Sequence, residues 1–162
     1  MYKIIFITVT MLCSCSNIEH KKLRDEMTVY YGKELILPLH KSSNKLKIST
    51  YIKGDCSKCI DELIEWKKWI AIDNSNVDFY FYFYAFDEDI MNEIDTAIVK
   101  LNYPIIYDEH KSYLTKNGLN EKDKVFQTFL LDRNNHILLI GNPIGNPKLS
   151  KLYHREINKR KS

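Results

Sequence analysis

The sequence predicts an α/β domain: a mixed β-sheet flanked by helices, with a βαβ half followed by a ββα half. Three observations carry this expectation. The β-rich stretches Leu46–Lys53 and Val77–Phe86 bracket a run of helical period. Two further β-rich runs, Val125–Asp132 and His136–Gly141, stand either side of the turn Arg133-Asn-Asn135 and read as an antiparallel hairpin. A last helical run, from Lys148 to about Asn158, closes the chain. At 162 residues, 44% of them hydrophobic, the chain suits one domain with a proper core. The net charge of +3 is small and the lysines are mixed with acids, so a nucleic-acid partner is not expected. The basic end, Lys159-Arg-Lys-Ser162, is most simply a frayed tail.

In chain order, Met1–Leu12 has one early lysine and then an apolar run of about nine residues. A bilayer span needs about 20, so this run has the length of a signal-peptide core. Leu12-Cys-Ser-Cys15 follows, placing a leucine three residues before Cys15 and a small serine immediately before it. That pattern resembles the bacterial lipobox, with residues 1–14 as a lipoprotein signal peptide and Cys15 as the lipid attachment site. Cys13 would leave with the signal, and the acyl chains would hold the protein at a membrane without spanning it. Residues 15–27 are polar and read as a tether, and residues 28–162 as the domain. Within it, Thr28–Leu39 is a short β extension, broken by Gly32 and ended by Pro38.

Leu46–Lys53 alternates and is β-rich, so it is a strand, ended by Gly54-Asp55. Ser57–Ala71 carries Ile60, Leu63, Ile64, Trp66, Lys67 and Ile70 in helical repeat, with Asp61 and Glu62 early and Lys67-Lys68 late, the order that suits a helix dipole. Val77–Phe86 contains six consecutive aromatics, Phe79–Tyr84, and reads as a central strand covered on both faces rather than a binding platform. A helix is predicted over Glu88–Leu101, a short strand over Pro104–Asp108, and a short helix from His110 ended by Asn117-Gly118. Gly141–Pro147 is a loop without the lysine and spacing of a phosphate-binding loop, and Asp87-Glu-Asp89 reads as a solvated helix start.

Chemistry concentrates in Cys56-Ser-Lys-Cys59, at the junction of the first strand and helix. With Cys13 and Cys15 removed from the thiol count, this single pair is a redox candidate, since a disulfide framework would use more cysteines at wider spacing. A free cysteine with pKa about 8.5 is only about 3% ionised at pH 7, and a helix N-terminus lowers that pKa. Lys58 adds a nearby positive charge, whereas Asp55 opposes ionisation. Cys59 lies one helical turn beyond Cys56 and is expected to be the more buried, so Cys56 attacks and Cys59 resolves.

The element order, the cysteine pair at the strand-to-helix junction and Thr128-Phe-Leu-Leu-Asp132 before a hairpin resemble the thioredoxin-like superfamily, from about Leu46 to Asn158. The branch they look most like is the TlpA-type membrane-anchored thiol–disulfide oxidoreductases, particularly the lipoproteins of Bacteroidetes. The resemblance implies a thioredoxin-like mixed sheet and exchange of disulfides with extracytoplasmic proteins. It also implies regeneration by a membrane reductant, no cofactor, and a lipid-anchored position in the cell envelope facing the periplasm. Three positions depart from the pattern. Asp55 replaces an aromatic residue, Thr50 stands where relatives hold a buried acid, and Phe126 falls at the position of the cis-proline. A non-proline cis bond costs about 3–4 kcal/mol, so a trans loop of different shape is expected there. These departures keep two alternatives open: a thioredoxin-fold binding module with weak turnover, and a soft-metal site that would enlist His110 or His136, although neither has metal-motif spacing.

Overall fold

The structure is a computed structural model and describes residues 34–37, 44–54, 57–72, 76–85, 103 and 105–160, all within one compact unit running from Tyr31 to Ser162. The signal peptide, Cys15, the tether, Asp55, Cys56 and the helix expected over 88–101 lie outside the described residues.

Five strands form one sheet: β1 (Leu46–Lys53), β2 (Val77–Tyr84), β3 (Ile105–Tyr107), β4 (Thr128–Leu131) and β5 (Ile137–Ile140). Their spatial order is β3-β2-β1-β4-β5. β1 runs parallel to β2 and antiparallel to β4, β2 runs parallel to β3, and β4 pairs antiparallel with β5. The described helices are α1 (Ser57–Ile70), α2 (Ser112–Asn117) and α3 (Pro147–Lys159), with a 3-10 turn at Lys124–Gln127. The predicted mixed sheet flanked by helices is the architecture observed.

β1 is the middle strand, and seven of its eight residues are buried. The alternating polar residues of LKISTYIK therefore face a second packed layer rather than solvent. Lys47 is 1% exposed and donates its ammonium to the carbonyl of Arg133 at 2.7 Å. Burial lowers its pKa, against the opposing pull of Asp132 and Asp78.

The aromatic run of β2 divides by strand period. Phe79 and Phe81 meet the edge of Trp66 on α1, at 6.4 and 5.7 Å between ring centroids. On the opposite face Tyr82 stacks on Tyr113 of α2 at 4.4 Å, and the Tyr113 hydroxyl bonds with that of Ser49 at 3.0 Å. Phenylalanines thus pack against the tryptophans of α1, and Tyr82 packs in the layer where the Tyr113 hydroxyl finds its partner.

The core face of α1 is Cys59, Leu63, Trp66 and Trp69, at spacings of three and four residues, while Lys67 is exposed. No acid stands in its first turn, so Asp61 and Glu62 start too late for the dipole role their order suggested; Lys67 and Lys68 do occupy the last turn. α2 ends at Asn117 with Gly118 in the left-handed region (φ 64°), as the Asn-Gly signal predicts. α3 starts at Pro147, capped by the Asn146 side chain on Leu149 N–H. Its end takes in Lys159, and Arg160 pairs with Glu156, so the first half of the basic tail is ordered.

The hairpin strand starts later than its β-rich residues suggested. Val125, Phe126 and Gln127 belong to the 3-10 turn, because Phe126 N–H bonds to Asp123 O at 2.9 Å and Gln127 donates to Glu121 O at 2.7 Å. The amino-terminal extension is described over residues 34–37: Glu34 bridges to His136, and Leu35 and Leu37 are buried. Asn117 holds this segment as a strand neighbour would. It accepts from Ile36 N–H and donates to Ile36 O, each at 2.7 Å.

Candidate active site

The site begins where β1 ends. Gly54 follows the strand, and its N–H reaches Tyr84 O at 2.6 Å. A Cβ there would drive into the ring of Phe83, which is fully buried. Glycine therefore lets the chain pass closely over β2 before α1 begins. Cys59 lies in the first turn of α1, is 8% exposed, and donates its thiol hydrogen to the carbonyl of Lys53. Cys59 is expected to be the more buried of the two cysteines; it is buried at the helix start, and Cys56, needed for the comparison, lies outside the described residues.

Cys59 borders a cavity of about 580 Å3 that is also lined by Lys53, Glu62, Gln127, Thr128 and Asn142. Glu62 is three residues beyond Cys59, one turn along the same helix. Its carboxylate accepts from Asn142 Nδ2 at 2.6 Å, and burial raises its pKa, partly opposed by Asn142 and by the charge of Lys124. A carboxyl whose pKa is raised by burial thus lines the same cavity as the buried thiol. Sequence reading assigned Glu62 only a place in the charge order of the helix. Its spacing from Cys59 was the available signal, whereas Asn142 is 80 residues distant in sequence and had none.

Thr50, where the resemblance implies a buried acid, is buried and its hydroxyl bonds that of Thr128 at 2.7 Å. Phe126 is 5% exposed with φ −97° and ψ 31°, and no peptide bond among the described residues is cis. The loop below the cavity is instead latched by ions: Glu121 pairs with Lys111 at 2.7 Å and Lys53 at 3.4 Å. The Lys111 hydrogen bond, foremost, holds the Glu121 carboxyl below the usual range.

The proposed metal ligands are not gathered here. His136 pairs with Asp132 at 3.3 Å beside the start of β5, which the strand register places at the end of the sheet away from Cys59. His110 is 82% exposed. No cluster of three or more metal-ligating side chains occurs among the described residues.

No protein-family model matches the sequence, and no curated protein matches it. Solved structures do. A Chlorobium tepidum protein provisionally named as the thiol:disulfide interchange protein DsbE aligns with a TM-score of 0.58 at 13% identity, over 72% of this chain and 82% of its own. StoA from Bacillus subtilis aligns at 0.53 with 17% identity, over 68% and 84%. A secreted Mycobacterium tuberculosis disulfide oxidoreductase homologous to E. coli DsbE aligns at 0.52 with 15% identity, over 70% and 84%. Identities this low establish the fold, and the fold is thioredoxin-like. Among the described residues no helix is long and apolar enough to cross a membrane.

Proposed function

We propose that the protein is a thiol–disulfide oxidoreductase of the cell envelope, lipid-anchored through Cys15 and facing the periplasm. The observation that carries this reading is the position of Cys59: buried in the first turn of α1, at the end of the central strand, against a cavity shared with Glu62, whose carboxyl pKa is raised by burial. The named activities of the structural neighbours support the same class.

In the proposed cycle the Cys56 thiolate attacks one sulfur of a partner disulfide, forming a mixed disulfide and releasing the other partner thiolate. Cys59 gives up its proton, Glu62 being the nearby acceptor, and attacks the Cys56 sulfur. The second partner thiolate leaves, and Cys56–Cys59 is now the disulfide. The partner has gained two electrons, and a membrane dithiol reductant restores the pair. Extracytoplasmic proteins with accessible disulfides are the substrate class.

Glutathione redox equilibration followed by mass-labelled thiol trapping tests this. A moderate midpoint, with Cys56→Ser far slower than Cys59→Ser in forming mixed disulfides, is expected. A midpoint below about −300 mV with slow exchange would make the pair a structural brace and the protein a binding module. The buried Thr50 and Phe126 favour that second reading. Chelator-dependent thiol protection would assign a soft metal. Intact mass of membrane-extracted protein tests the anchor, which Cys15→Ala should abolish.

A further inference from the structure

The end of the sheet opposite Cys59 has a character of its own. Lys45, Arg133, Lys159 and Arg160 surround a hollow of about 380 Å3, with the carboxamides of Asn76 and Asn134 in its wall. The strand register fixes where this is. Thr50 pairs with Thr128, towards the Cys59 end, and Lys47 pairs with Leu131, next to the Asp132–Asn134 turn. At about 3.3 Å per residue, the eight residues of β1 separate the two ends by roughly 25 Å.

Acids are present, and those paired with these bases are less exposed than their partners. Lys45 is 47% exposed against 25% for Asp78, Lys159 is 61% exposed and Arg160 39% against 20% for Glu156. Asp132 also lines the hollow, 29% exposed, and accepts from Asn134 N–H and His136 N–H at 2.8 Å. Arg133 forms no ion pair among the described residues and contributes only its carbonyl, to Lys47. Among the described residues four bases thus stand against three acids at this pole, and in each ion pair the base is the more exposed partner.

A second observation concerns the chain's path. The segment that follows the tether joins the folded unit here, through the Glu34–His136 bridge and the bond from Leu35 N–H to Asn135 O at 2.9 Å. Glu34 and Leu35 and the four basic residues thus fall on one pole, and Cys59 on the other.

We infer that this pole is a docking surface for anionic phospholipid headgroups, so that the protein stands on the membrane with Cys59 directed away from it. The part of the inference that concerns standing rests on the lipid anchor at Cys15. From Cys15 to Glu34 the extended chain could reach about 65 Å, so the tether alone does not set orientation. It makes the encounter intramolecular, and a weak cationic contact then suffices. Facing outward, the Cys59 end meets soluble partners unhindered by lipid, and the membrane reductant must reach it with a dithiol that projects from the bilayer.

Amide hydrogen exchange on the full-length chain, bound to vesicles with and without phosphatidylglycerol, tests this. Exchange at residues 44–46, 132–136 and 158–160 is expected to slow about fivefold on anionic vesicles only, and to recover in 1 M salt. Arg133→Glu with Arg160→Glu should remove the protection while sheet exchange is unchanged. Arg133→Gln with Arg160→Gln serves the same purpose should the reversal disturb α3. Equal exchange on both vesicle types, or protection at the Cys59 end, overturns the inference. So does equal protection by free glycerol phosphate, which would make the hollow a small-anion site. Intact mass reports the anchor separately: an unlipidated chain that still shows the anionic-vesicle protection keeps the surface and removes the anchor.

Discussion

Thr50 and Thr128 face each other in the β1–β4 ladder and join their hydroxyls at 2.7 Å in the buried layer that borders the Cys59 cavity. The pair ties two strands together at a position where relatives are expected to manage a proton. Thr50→Val leaves the Thr128 hydroxyl without this partner and should cost about 1–3 kcal/mol in urea unfolding. Thr50→Val with Thr128→Val should recover most of that loss, since removing both partners leaves no orphan. A single variant as stable as the parent would show that the tie carries no energy.

Glu62 should set a pH dependence. Its folded pKa lies above the unfolded value, so the native state holds the proton longer. Stability contributed by this group falls as pH rises from the unfolded pKa, about 4.3, through the folded one, and the deficit is complete above it. Glu62→Gln, which can still accept from Asn142, should match the parent at low pH and exceed it at neutral pH. Resolution of a mixed disulfide at Cys56, followed by rapid acid quench, should slow and lose pH dependence in the same variant. A neutral-pH melt no higher than the parent's would mean that burial of this carboxyl costs nothing.

Local pattern made most of the fold legible. Period-two and helical repeats placed β1, α1, β2 and α3 within a residue or two, and the Asn-Gly pair fixed the end of α2. Position in the sheet was harder to read. Lys47 and Ser49 look like solvent-facing residues of an alternating strand, but β1 is central and both its faces are covered. The 3-10 turn over Phe126 was hidden because β propensity is overridden by hydrogen bonds to Asp123 and Glu121. The site was half legible: Cys59 from its motif, Glu62 only from its spacing, Asn142 not at all.

Restoring proline at position 126 should harm the protein. Phe126 is buried and its N–H is bonded to Asp123 O, so Phe126→Pro removes a hydrogen bond and opens a cavity. A loss of about 3 kcal/mol in chemical denaturation is expected. A gain in stability would mean that the loop readily adopts the shape of its relatives.

Asn117 is the clamp on the amino-terminal extension. Besides its two bonds to Ile36 it donates to Tyr113 O at 2.7 Å. Asn117→Ala should cost about 2 kcal/mol and expose Leu35 and Leu37 to hydrogen exchange ahead of the sheet. Exchange that rises equally throughout would show that the extension and the sheet open as one unit.

Both tryptophans of the chain, Trp66 and Trp69, lie on α1, the helix that begins beside the cysteine pair. Trp66 is packed among phenylalanines, and Trp69 stacks on His154 of α3 at 4.6 Å. Intrinsic tryptophan emission therefore comes from one helix, in an apolar setting, with an imidazole against one of the two indoles. Any change of oxidation state that shifts α1 against α3 has an optical signature of its own, readable without a label.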